Sequence, residues 1–108
     1  MQEEFMRRMR LSPEMRADEE EQANFAAYIA SGKEYLRAIA CGQNIDFISD
    51  KLANDLLYNW CFYARADCTE KFEQAYRPML LQLRLRASAG KVITIPEDDA
   101  EGATDETN

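Results

Sequence analysis

An all-α fold is what this sequence predicts, and three observations carry that prediction. Ala53, Leu57, Cys61, Ala64, Cys68, Phe72, Ala75, Met79 and Leu83 recur in steps of four, four and three. A helix turns every ~3.6 residues, so this spacing puts all nine side chains on one face. Phe25, Ile29, Leu36 and Ile39 form a shorter stripe, with Gly32 falling in register between Ile29 and Leu36. Ser12-Pro13 is a helix start, because serine caps free N–H groups and proline suits the first helical position. The expected architecture is a small helical bundle with two long antiparallel helices. One spans residues 14–41 and the other starts near residue 49, broken or kinked near Pro78.

The first twelve residues read as an N-terminal arm or a short helix. Glu3 with Arg7 and Glu4 with Arg8 are i, i+4 pairs in the favourable orientation, and Phe5 shares a face with Met9. Such a face either packs on the body or docks a partner, since methionines adapt to irregular surfaces. Residues 13–95 are expected to form a single helical domain. Asp18 to Gln22 is polar all round and must be solvated. The helix is expected to continue through Gly32, at a local cost of about 1 kcal/mol, with the glycine marking a close helix–helix approach. Gly42 is the expected left-handed cap after Cys41.

Gln43 to Ser49 is a turn region made unusually apolar by Ile45, Phe47 and Ile48, so it should pack inward. Ser49 is a candidate cap for the central helix, with Asp50 in its first turn. In that helix Leu52, Leu56, Trp60 and Tyr63 add a second apolar face beside the first, while Tyr58 and Phe62 point elsewhere. A helix that is apolar nearly all round needs cover on several sides. The chain's own helices supply it, or a second copy does, and a homodimer is the expected remedy.

Thr69 is a possible cap where the helix restarts after Cys68. Leu81, Leu83 and Leu85 alternate with polar residues, as in a hairpin strand, yet Met79 to Ala87 holds no β-branched residue. The preferred reading is a helix from Pro78 to Ser88, capped near Gly90, then a short extended segment through Ile95. Residues 96–108 read as a disordered acidic tail, with six acids, no base and no aromatic or large aliphatic side chain.

Charge is unevenly spread. The chain of 108 residues carries a net charge of −7, of which residues 92–108 supply −6. Residues 18–50 carry −5, whereas residues 51–91 carry +3. Three cysteines, Cys41, Cys61 and Cys68, are an odd count at wide spacings and form no disulfide framework. Reduced thiols imply a cytoplasmic location. No apolar run approaches the ~18 residues of a membrane span, and the N-terminus lacks a secretory apolar block.

The chain has no histidine, which excludes Ser-His-Asp and Cys-His nucleophile pairs and mixed Cys/His zinc sites. Its four glycines are isolated, so no phosphate-cradling loop exists. No cofactor is implied. The expected function is therefore non-enzymatic binding of another protein by a small inhibitor, adaptor or assembly factor, of the kind mobile elements encode. Tyr58, Trp60 and Phe62 are the candidate anchors, because aromatic side chains dominate binding hot spots. Asp18, Glu19, Glu20 and Glu21 would steer a basic partner.

Two alternatives use other residues. Arg77, Arg84, Arg86 and Lys91 offer a basic row to phosphates, making a nucleic-acid-binding accessory protein, although no helix-turn-helix, zinc-finger or RNA-binding signature accompanies them. Asp46, Asp50 and Asn54 recur every four residues and would form a ridge for a hard cation in a metal-assisted enzyme.

Overall fold

The computed structural model describes residues 1–96. The acidic tail lies, Pro96 apart, outside the described residues. Six α-helices and one 3-10 turn account for most of the described chain: α1 (Gln2–Arg8), α2 (Pro13–Ala17), α3 (Glu19–Ile39), α4 (Lys51–Arg65), the 3-10 turn Thr69–Lys71, α5 (Phe72–Ala75) and α6 (Arg77–Ser88). Among the described residues there is no strand, only an isolated antiparallel bridge between Ile45 and Thr94.

α3 and α4 form the centre and run antiparallel. Glu21 meets Arg65 near one end, while Ser31 meets Trp60 further along. α3 and α4 approach closely at Gly32, through which α3 runs unbroken. A Cβ there would sit 2.6 Å from Leu57 Cδ1 and 2.6 Å from Trp60 Cδ1, so only a glycine lets the two helices meet this closely. The shared core includes Phe25, Leu36, Leu56, Leu57, Cys61 and Phe72, all without exposure. Phe5 and Met6 of α1 lie in the same core, which makes the first twelve residues a packed helix and turn.

Two breaks depart from the expected long helices. The span 14–41 is divided at Asp18, whose extended backbone (φ −73°, ψ 128°) lets its carboxylate cap α3 by accepting from the Glu21 N–H at 2.9 Å. Ser12 caps α2 in the same way, from the Met15 N–H. The second span ends at Arg65, well before Pro78, because Asp67 takes a left-handed conformation (φ 59°). A further break falls at Tyr76 (φ −115°), and Pro78 then sits in the first turn of α6, where its missing N–H costs nothing. The stripe shifts across these breaks. Ala53, Leu57 and Cys61 are buried, but past Phe72 the core positions are Leu80, Leu83 and Ala87, and Ala75 is exposed.

Four helices end alike. After α1, α3, α4 and α6 a left-handed residue follows the C-cap: Arg10 (φ 62°), Cys41 (φ 62°), Asp67 (φ 59°) and Gly90 (φ 71°). Each time the next N–H reaches back five residues, as in Leu11 to Met6, Gly42 to Arg37, Cys68 to Tyr63 and Lys91 to Arg86. The left-handed residue's own N–H also reaches back three residues, and this pair of reversed bonds satisfies carbonyls that a helix end leaves free. The left-handed cap of α3 is thus Cys41, one residue before the expected Gly42, which itself has φ 78°.

The connection from α3 to α4 packs inward at two of its three apolar residues, whereas Ile48 is 74% exposed. Ile45 and Phe47 are buried, with Lys33 and Arg37 of α3 lying over the Phe47 ring at 5.9 Å and 5.8 Å. Asp50, not Ser49, caps α4. Its buried carboxylate accepts from the Ala53 N–H at 3.0 Å and from the Ile93 N–H at 2.9 Å. One side chain therefore starts α4 and holds the extended C-terminal segment against it.

Candidate functional site

The described residues span 42 × 37 × 19 Å. The short axis corresponds to about two helix layers, since packed helix axes lie about 8–10 Å apart. A helix in such a slab has one side without a neighbour. For α4 that side is small. For α6 it is a second apolar face.

The candidate anchors are mostly used inside the fold. Trp60 stacks on Tyr35 (centroids 4.8 Å apart, interplanar angle 23°), meets Phe72 edge-on at 5.4 Å and donates its indole N–H to Ser31 Oγ at 3.2 Å. Tyr58 packs edge-on against Phe5 at 5.4 Å, and the Arg8 guanidinium lies 3.8 Å from its ring centroid. Phe62 alone of the three is largely exposed, at 53%. Residues two apart on a helix face nearly opposite ways, so the three do not converge on one surface. The apolar surface around Trp60 is partly covered by Tyr35 of α3, Phe72 of α5 and Phe5 of α1, while Phe62 is left exposed.

The acidic cluster is also largely structural. Asp18 caps α3, and Glu21 accepts from Arg65 Nε at 2.7 Å in a half-buried ion pair. Glu19 and Glu20 remain exposed in the first turn of α3, where the helix dipole favours negative charge. The cation ridge is absorbed by backbone groups. Asp46 Oδ1 accepts from the Ser49 and Ile48 N–H groups, both at 3.1 Å, and hydrogen bonding to Ser49, with a smaller part from Ile48, holds its pKa below the ordinary carboxylate value. Asp50 is committed as described above, and Asn54 donates its amide to the Phe47 carbonyl at 3.0 Å. Among the described residues no three Cys, Asp or Glu side chains gather as a metal would require. Burial pushes the Cys61 thiol up to about 12, far from the range of a nucleophilic thiolate.

The basic residues surround a feature the alternating leucines concealed. With about 100° per residue, Leu80, Leu83 and Ala87 of α6 face the core. Pro78, Leu81, Leu85 and Ala89 fall on the opposite side, where Leu81 is 55% and Leu85 60% exposed. Arg77 and Arg84 flank this outer stripe on one side and Arg86 on the other. Lys91 does not continue the row of sevens, because α6 ends at Ser88 and Gly90 turns the chain. It comes back beside Arg86, whose Nη2 donates to the Lys91 carbonyl at 3.3 Å. Together Pro78, Leu81, Leu85, Ala89, Arg86 and Lys91, with Gln82, line an open groove of about 380 Å³. Ile93 (45%) and Ile95 (38%) are further exposed apolar side chains, on the segment that follows.

The signal for this face was present in the spacing of Pro78, Leu81, Leu85 and Ala89, at i, i+3, i+7 and i+11. It went unread because Leu83, between them, belongs to the core stripe. No family model, curated protein or solved structure matches this chain. Among the described residues no helix is long and apolar enough to cross a membrane.

Proposed function

We propose that this protein works without catalysis, by binding another protein through the outer face of α6, as a small inhibitor, adaptor or assembly factor. The observation that supports this reading is the pair of leucines, Leu81 and Leu85, held in line on a regular helix with more than half of their surface in water. A leucine facing solvent singly needs no explanation, but two of them one turn apart, in line with Pro78 and Ala89 and flanked by bases, have the anatomy of a binding site. Phe62 lies on a different helix and is not needed for it.

The test uses the double variant Leu81→Glu, Leu85→Glu. Neither side chain is in the core, so the variant should fold with an unchanged circular dichroism spectrum. Proteins co-purifying from the source cell with the intact chain should be lost with this variant and retained with Phe62→Ser. Retention by the leucine variant and loss with Phe62→Ser would overturn the reading.

A further inference from the structure

The face of α6 has a chemistry specific enough to describe its occupant, and the inference rests on the docking role proposed above. Three properties decide it.

The apolar stripe is straight. Pro78 to Ala89 spans eleven residue steps, or about 16 Å at 1.5 Å per residue. An element that matches a straight stripe of that length with its own is another amphipathic helix, laid along α6 with apolar residues at i, i+3 or i+4, and i+7.

The charges that α6 itself carries are all of one sign. α6 carries Arg77, Arg84 and Arg86 and no acid, and Lys91 closes the groove at its far end. The side-chain ion pairs among the described residues are Glu3–Arg7 and Glu21–Arg65, so none of these four bases is neutralised within the described fold. Steering and register would then come from acids flanking the partner's apolar stripe.

A second copy of this face is a poor match. Pairing α6 with α6 about a two-fold axis sets one base row against the other, and like charges brought together across an interface disfavour it. Duplex nucleic acid would satisfy the bases but leave Leu81 and Leu85 against phosphates, which reward neither.

We infer that the outer face of α6 is a docking site for an acidic amphipathic helix of a partner protein, with Leu81 and Leu85 seated in its apolar stripe and Arg77, Arg84 and Arg86 paired with its flanking carboxylates.

The experiment is selection from a displayed library of helical peptides of about 16 residues, with a fixed apolar stripe and randomised flanks. It is run on the full chain, on Arg77→Glu/Arg84→Glu and on Leu81→Glu/Leu85→Glu. The intact chain should enrich flanks rich in Asp and Glu. The arginine variant should enrich flanks rich in Lys and Arg, a reversal that a merely structural role for these bases would not produce. The leucine variant should bind the acidic winners about 100-fold more weakly. Charge-indifferent winners on the intact chain would overturn the acidic partner while leaving docking on α6 in place. Equal binding by the leucine variant would overturn both. Two control measurements also decide. Binding to a duplex of about 20 base pairs at about 150 mM salt, lost with the arginine variant and kept by the leucine variant, would assign the face to nucleic acid. A sedimenting dimer that dissociates in the leucine variant would assign it to a second copy. Either result overturns the inference.

Discussion

α4 and α6 pose a similar problem to the fold and meet different outcomes. α4 carries apolar side chains nearly all round. Leu56, Leu57 and Cys61 have no exposure, Trp60 is covered by Tyr35 and Phe72, and Tyr58 by Phe5 and Arg8. α6 carries two apolar stripes on opposite sides. Leu80, Leu83 and Ala87 are covered, while Leu81 and Leu85 are not. The difference lies in the neighbours. α4 packs against α3 and α6 and is met by Phe5 of α1 and Phe72 of α5, whereas the contacts of α6 with α3, α4 and α5 leave Leu81 and Leu85 in water. The number of apolar residues on a helix therefore says little about partners. What counts is which of its faces the rest of the chain reaches.

The most direct way to break this comparison is to truncate one leucine from each helix. Leu57→Ala removes a side chain with no exposure, against Gly32, and should cost about 2–5 kcal/mol in urea unfolding. Leu85→Ala removes one that is 60% exposed and should change stability by no more than about 0.5 kcal/mol. Similar costs for the two would mean that the outer face of α6 is covered after all, and the docking role would lose its basis.

A somewhat smaller effect is expected at the N-terminus of α4. Asp50→Ala strands the buried Ala53 N–H and the half-buried Ile93 N–H and should cost about 2–3 kcal/mol. Asp50→Asn keeps one acceptor oxygen and should recover part of that loss. Hydrogen exchange at the Ile93 amide is the sharper measurement. It should accelerate in both variants, because neither offers a second carboxylate oxygen. Unchanged exchange there would show that the C-terminal segment is held by its bonds to Asn44 and Asp46 alone.

These residues also mark how far the sequence could be read. The helical class, the start at Ser12-Pro13, the passage through Gly32 and the inward turn at Ile45 and Phe47 follow from local chemistry, and the structure has them. The ends of α1 and α4 do not. Arg10 adopts a left-handed geometry that its type does not favour, and Asp67 one that aspartate tolerates without signalling it, so no glycine announces either turn. Beyond the break at Asp67 the sequence stripe keeps Phe72 and Leu83, which are buried, but takes in Ala75, which is exposed, and leaves out Ala87, which is buried. For the candidate site the sequence supplied the bases but not the stripe between them. Which of two apolar faces is covered depends on neighbours distant in the chain.

The contact that covers α4 can be tested through Gly32. Gly32→Ala gains up to about 1 kcal/mol of helix propensity. Its methyl would meet Leu57 Cδ1 and Trp60 Cδ1 at 2.6 Å, and the Trp60 ring is held by Tyr35 and Ser31. Overpacking of this kind costs about 1–3 kcal/mol, so a net loss of about 1 kcal/mol is expected. A rise in thermal midpoint would mean that α3 and α4 separate readily, and that the cover over Trp60 is looser than the contacts indicate.

The smallest effects come from the one place where α4 and α6 agree, their closing turns. Both end in the same pair of reversed hydrogen bonds, one with Asp67 in the left-handed position and the other with Gly90. A side chain in that conformation costs about 1–2 kcal/mol, though aspartate tolerates it better than most, and glycine gives back part of the gain through its freer unfolded chain. Asp67→Gly should therefore stabilise by no more than about 0.5 kcal/mol, and Arg10→Gly, lacking aspartate's tolerance, by slightly more. Gly90→Ala runs the other way and should cost about 1 kcal/mol, although a methyl there meets no atom within 4 Å. Because no packing changes at Gly90, its loss measures backbone geometry alone. If Gly90→Ala were neutral, the turn after α6 would not be fixed by its two bonds. Lys91 would then be free to leave the groove beside Leu85, and the rim of the docking face would be three bases, not four.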